Sequence, residues 1–209
     1  APHTPGLWRH TTRPTLFTLV VDDFLVQYMS QQDAAHLTDA LKSKYTIVED
    51  WKATLYAGLT IDWDYDNSTV DISMPGYIEK ALSRFQHPTP EYPEDAPHPW
   101  EPPKYGAKVQ YAESPDTTTA LNAAQTKRLQ EIIGTFLFLG RAVDPTILVA
   151  LGTLASQQTQ GTEATLDAVT QLLNYAATHP DPMVRYTSSD MQLEVSSDTS
   201  YLSETKSRS

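Results

Sequence analysis

Eight of the fifteen prolines fall between Pro88 and Pro115, in the stretch HPTPEYPEDAPHPWEPPKYGAKVQYAESP. Proline has no amide donor, fixes its own φ and biases the residue before it toward extended backbone. The stretch therefore cannot be a helix and reads as a linker or as an extended wrap over a surface. It divides the chain into a region 1–87, the linker 88–115, and a region beginning at 116. No internal repeat is visible on either side.

Composition narrows the choice further. The 209 residues are 40% apolar and 20% charged, which suits a packed core and not wholesale disorder. No apolar run reaches the length of a membrane-spanning helix, and residues 1–12 do not read as a secretory leader. An intracellular protein of the cytoplasm or nucleus is expected, neither secreted nor bound to a membrane. The first residue is not Met, so an excised piece of a longer chain is expected. The absence of cysteine excludes a disulfide scaffold, a thiol nucleophile and a cysteine-ligated metal. A net charge of −11 opposes tight autonomous binding to nucleic acid, which rests on Lys and Arg neutralising phosphates.

Thr15 to Val21 is apolar and rich in β-branched residues, Asp22-Asp23 interrupts it, and Phe24 to Tyr28 resumes it. This pattern predicts a hairpin with two carboxylates at its turn. Ser30 with Asp33 resembles a capping box and opens a helix to about Lys44, with Ala34, Leu37, Ala40 and Leu41 on one face. Leu55–Ile61 and Val70–Met74 predict a second hairpin, turning at Asp66-Asn67-Ser68. Ser73 is expected to cap a helix running to about Phe85.

Beyond the linker, residues 121–140, Ile147–Gln157 and Glu163–Thr178 read as helices, the last capped by Thr162. They are expected to form one bundle around Leu129, Ile133, Phe136, Leu148, Leu151, Leu166 and Leu172. Met183–Tyr186 and Met191–Val195 read as strands, the second loosely held.

Two adjacent carboxylates at a strand turn repel each other unless they are solvated or share a cation. Magnesium is typically held by one or two carboxylates plus phosphates. Asp22 and Asp23 are therefore the foremost candidates for metal-assisted chemistry. Asp62-Trp63-Asp64-Tyr65-Asp66 is a weaker acidic cluster, better read as a strand entering a solvated turn. Lys80 and Arg84 are candidate phosphate contacts, with a solvated helix face as the plainer reading. No histidine cluster, glycine-rich phosphate loop or Gly-x-Ser-x-Gly elbow is present.

Phe17-Thr-Leu-Val-Val-Asp-Asp-Phe-Leu-Val26 resembles the catalytic hairpin of reverse transcriptases of copia-type long-terminal-repeat retrotransposons. Further similarities follow in order. Leu55-Tyr-Ala-Gly-Leu-Thr-Ile61 resembles the family's primer-grip hairpin, and Gly76-Tyr-Ile-Glu-Lys-Ala-Leu82 its first thumb helix. Leu129 to Leu139 resembles the helix after the proline-rich linker. Val143-Asp-Pro-Thr-Ile147 stands where the family usually has Arg-Pro-Asp-Ile. Ser197-Asp198-Thr-Ser-Tyr201 resembles the start of the tethered ribonuclease H domain.

The resemblance implies an α+β fold: a reverse-transcriptase palm hairpin and thumb over 1–87, a helical connection over 116–187, and the first strand or strands of a ribonuclease H-like domain over 188–209. It implies magnesium or manganese held by Asp22, Asp23 and Asp198 as catalytic residues. Tyr56, Ala57 and Gly58 would be primer-grip-like contacts to an RNA or DNA template-primer. Val20 stands where the family usually has an aromatic residue, and none of the 21 residues before Asp22 is acidic. Asp198 alone of the nuclease's carboxylates has its context. The expectation is a fragment of an RNA-directed DNA polymerase, inactive by itself and dependent on the remaining polyprotein domains. The alternative is a non-catalytic, truncated or domesticated retroelement protein acting as a partner-binding module.

Overall fold

A computed structural model describes residues 4–99, 116–190, 192 and 194–197. The fold is mixed α and β, with two antiparallel sheets and five α-helices among the described residues. Contacts group it into two compact units. One holds the chain up to Met74 together with Val184–Tyr186, and the other holds Pro75–Met183. The division falls between Met74 and Pro75. No described helix is long and apolar enough to cross a membrane.

In the first unit, β1 (Leu7–Arg9), β2 (Leu16–Val20) and β3 (Asp23–Gln27) form an antiparallel sheet in that order. The register pairs Trp8 with Phe17, Phe17 with Val26, and Val20 with Asp23. Side chains alternate along a strand, so Trp8, Phe17 and Phe24 share one face while Thr18, Asp23 and Leu25 share the other. The rings of Trp8 and Phe17 stack with centroids 6.2 Å apart, and those of Phe17 and Phe24 lie 5.5 Å apart.

Helix α1 (Gln31–Lys42) starts as expected. The Ser30 hydroxyl accepts the Asp33 amide at 3.3 Å and donates to the Asp33 carboxylate at 2.6 Å. Ser30 first, and Arg13 after it, holds the Asp33 carboxyl below its ordinary range. Ala34 is buried and Leu37 and Leu41 are half-buried, but Ala40 is exposed. At 3.6 residues per turn Ala40 lies about 120° around the helix from Ala34, off the buried stripe.

The second sheet runs β4 (Leu55–Tyr56), β5 (Leu59–Asp64), β6 (Thr69–Ser73) and β7 (Met183–Thr187). Leu55–Ile61 is thus not one strand. Ala57 and Gly58 have φ of 51° and 79°, and two successive positive φ values make the two-residue hairpin turn that matches strand twist. Strand β7 is fastened to β6 by a forked ion pair, Arg185 Nε and Nη2 donating to the two oxygens of Asp71 at 2.7 and 2.6 Å. Asp62 stands directly across from Asp71, so the guanidinium also offsets a like-charge cross-strand pair.

The second unit is helical. Ser73, expected to cap α2 (Tyr77–Arg84), is instead the last residue of β6, paired with Thr60. Pro75 cannot extend the ladder, and Gly76, with φ of 70°, takes the cap position. Helix α3 (Ala123–Ala142) opens with a capping box in which Asn122 and Gln125 each accept the other's amide at 3.0 Å. Asp144 caps the short turn Pro145–Ile147 that separates α3 from α4 (Leu148–Gln157), and α5 (Glu163–Thr178) begins at its expected cap, Thr162. The core contains Ile78 and Phe85 with Leu129, Ile133, Phe136, Leu151, Leu154 and Leu172, all buried. Leu148 and Leu166, expected there, are only half-buried.

The described part of the proline-rich stretch forms no helix or strand and lies along α5. The His87 ring meets Asn174 at 2.8 Å, the Glu94 amide donates to Thr178 at 3.0 Å, and Gln171 donates to the Ala96 carbonyl at 3.0 Å. It is a wrap over a helix, at least as far as Ala96. Of the expected strand Met191–Val195, Gln192, Glu194 and Val195 are described and are not in a strand. Its other residues, and Asp198, lie outside the described residues.

Close approach in the helical unit depends on Gly140. A Cβ there would lie 3.1–3.2 Å from Leu148, Ile147 and Leu151, whereas one at the exposed Gly134 would meet nothing within 4 Å. Gly140→Ala should therefore lose about 1–3 kcal/mol by overpacking, and Gly134→Ala should gain about 0.5–1 kcal/mol from helix propensity, both read by urea denaturation. A second test concerns pH. The Asp71 carboxyl is held below its ordinary range by the Arg185 hydrogen bond. Its contribution is complete above the unfolded value and is lost as pH falls through the folded one. Arg185→Ala should flatten the fall in melting temperature between about pH 5 and pH 2.

Candidate functional site at the Asp22-Asp23 hairpin

Pairing of Val20 with Asp23 leaves Val21 and Asp22 as a two-residue turn. Such turns need positive φ, normally supplied by Gly or Asn. Here Val21 supplies it, with φ of 56°. A β-branched residue in that region is strained, and Val21 is 92% exposed, so no burial compensates. Asp22 and Asp23 are both exposed at the tip.

A second hairpin meets this one. The Ala57 amide lies in the β4–β5 turn, where no ladder partner is available, and it donates to Asp23 Oδ2 at 3.1 Å. One residue earlier, the hydroxyl of the half-buried Tyr56 shares a 2.8 Å hydrogen bond with the Thr18 hydroxyl. Thr18 and Asp23 lie on the same face of the β2–β3 hairpin, so the two bonds grip one surface at two points. Asp23 Oδ1 has no hydrogen bond among the described residues.

The structure therefore brings together Asp23 and Ala57, and Thr18 and Tyr56, with Gly58 completing the second turn, while Asp22 is placed beside Asp23 by the chain alone. Sequence reading did not include Thr18. The signal was there: its parity with Asp23 across a two-residue turn places it on the face that meets Tyr56. Lys80 and Arg84 are exposed on α2 in the other unit, where Arg84 lies 5.3 Å from the Phe85 ring centroid. Asp64 accepts the amide and side chain of Asn67 at 2.9 and 2.7 Å and belongs to the β5–β6 turn, as the plainer reading had it.

Two exposed neighbouring carboxylates are hard oxygen donors and fit a magnesium-like cation that keeps its remaining ligands as water or phosphate. No group of three or more His, Asp or Glu residues placed to hold a metal occurs among the described residues. The tip can offer a cation two carboxylates from this part of the chain. No protein-family model matches the chain, and no curated protein or solved structure is significantly similar to it.

The strain at Val21 gives a local test. Val21→Gly should raise stability by about 1 kcal/mol, because glycine adopts positive φ without the Cβ penalty. Denaturant midpoints at unchanged m-value check it.

Proposed function

We propose that the chain is part of an RNA-directed DNA polymerase of the copia retrotransposon type, contributing its paired carboxylates, the adjoining turn and thumb-like and connection-like helices. The observation that carries this reading is the hydrogen bond between Ala57 and Asp23. It joins two segments 34 residues apart whose separate sequences resemble the catalytic hairpin and the primer grip. When bound, a divalent cation would supply charge stabilisation for phosphoryl chemistry. The chain's own part is to hold two carboxylates exposed and adjacent, with one oxygen of Asp23 engaged by an amide. Template-primer and the remaining polyprotein domains belong to the full protein, whose basic surfaces would offset the charge of −11 carried here.

The charge and the absence of a third carboxylate at the tip among the described residues favour a second reading, a non-catalytic module that binds a partner. Manganese separates the two. Added Mn2+ should broaden the amide resonances of residues 21–24 and 57 selectively, and Asp22→Asn with Asp23→Asn should abolish the effect. Uniform or absent broadening would favour the module. Primer extension by this chain alone on a homopolymer template is expected to be nil. Extension that Asp22→Ala abolishes would show the two carboxylates to be sufficient.

A further inference from the structure

We propose that Tyr56 is a positioning residue for Asp23, acting through Thr18 and the Ala57 amide rather than by touching a nucleic acid. The inference rests on the cation-binding reading of the tip. The Tyr56 hydroxyl is committed to Thr18 at 2.8 Å, so the half-buried phenol is tied down inside the protein. That bond seats the β4–β5 turn on the Thr18 face of the β2–β3 hairpin. The next residue, Ala57, then has its otherwise unpaired amide directed at Asp23 Oδ2, 3.1 Å away. Positive φ at both Ala57 and Gly58 fixes the turn and hence the direction of the amide.

The consequence is a division of labour between the two aspartates. Asp23 has one oxygen held by an amide and presents the other, Oδ1, in a set direction. Asp22 sits within the turn and has no hydrogen bond among the described residues, so it is free to follow the cation. A carboxylate oriented by an outer partner binds metal better than a rotating one, and loss of such a partner typically costs about tenfold or more in affinity. The hydroxyl of Tyr56 is the removable part of this arrangement, and Tyr56→Phe deletes it while keeping the ring.

The test uses the full chain with Mn2+ as probe and compares Tyr56→Phe, Thr18→Val, the double variant, and Tyr65→Phe. Tyr65 is 80% exposed, so its variant controls for loss of a phenol hydroxyl. Amide exchange is measured first, without metal. Exchange at Ala57 should accelerate in Tyr56→Phe and Thr18→Val and stay at the parent rate in Tyr65→Phe. Affinity for Mn2+ at the tip should fall about tenfold in either single variant, and no further in the double, because both remove one bond. Parent-like exchange at Ala57 in Tyr56→Phe, or unchanged affinity in a chain whose parent binds Mn2+ at the tip, would overturn the positioning role. A parent chain that binds no Mn2+ at the tip would instead overturn the functional reading beneath it.

Discussion

A two-residue turn sets the register of β2 against β3, and register decides which side chains share a face. With Val20 opposite Asp23, Thr18 and Asp23 emerge on one side and Phe17 and Phe24 on the other. A slip of β3 by one residue against β2 would turn over every β3 side chain relative to β2. Phe24 would leave the face that Phe17 shares with Trp8, and Asp23 would leave the face of Thr18 that meets the β4–β5 turn. The grip of Tyr56 and Ala57 on this hairpin therefore follows from the turn, and the turn is held with Val21 at a φ of 56°. Strain at a residue that is 92% exposed lowers stability and gives nothing back through packing. It does place the adjacent Asp22 at the apex.

The helical unit is built on different terms. Its side chains are apolar and buried on several helices at once, and α3 approaches the start of α4 over a glycine. Polar groups there are few and satisfied locally. Asp144 is buried at 6% exposure and accepts the Thr146 amide and hydroxyl, while Thr146 also meets Tyr175 at 3.0 Å. The described part of the proline-rich stretch makes hydrogen bonds to α5, which suits a segment poor in amide donors. Thr15 in the first unit is the exception, a buried hydroxyl without a partner among the described residues.

Elements with a strong period or an unambiguous cap were legible in the sequence. Ser30, Thr162 and the Asp144-Pro145 break all mark real boundaries, and the apolar runs around Asp22-Asp23 do form a hairpin. Shorter signals misled. By residue pattern Leu55–Ile61 reads as one arm of a hairpin, because Ala57 is not a turn residue by type, whereas the positive φ of Ala57 and Gly58 folds it into a hairpin of its own. Ser73 looks like a cap, but pairing with Thr60 claims its backbone for the sheet first. Leu148 and Leu166 have the right spacing for a core, but tertiary placement leaves them half-buried. At the candidate site the carboxylates were visible in the sequence, and the parity of Thr18 with Asp23 was too, but the Tyr56 and Ala57 contacts to them join segments far apart in the chain and leave no local pattern.

Asp22 and Asp23 are proposed to form a cation-binding tip steadied by the β4–β5 turn. A crystal structure of the chain soaked in Mn2+ tests it most directly. An anomalous peak contacted by the Asp22 carboxylate and by Asp23 Oδ1 is expected, with the Ala57 amide still donating to Asp23 Oδ2. A peak held by other residues, or a tip that binds no ion while Asp23 has left Ala57, would contradict it.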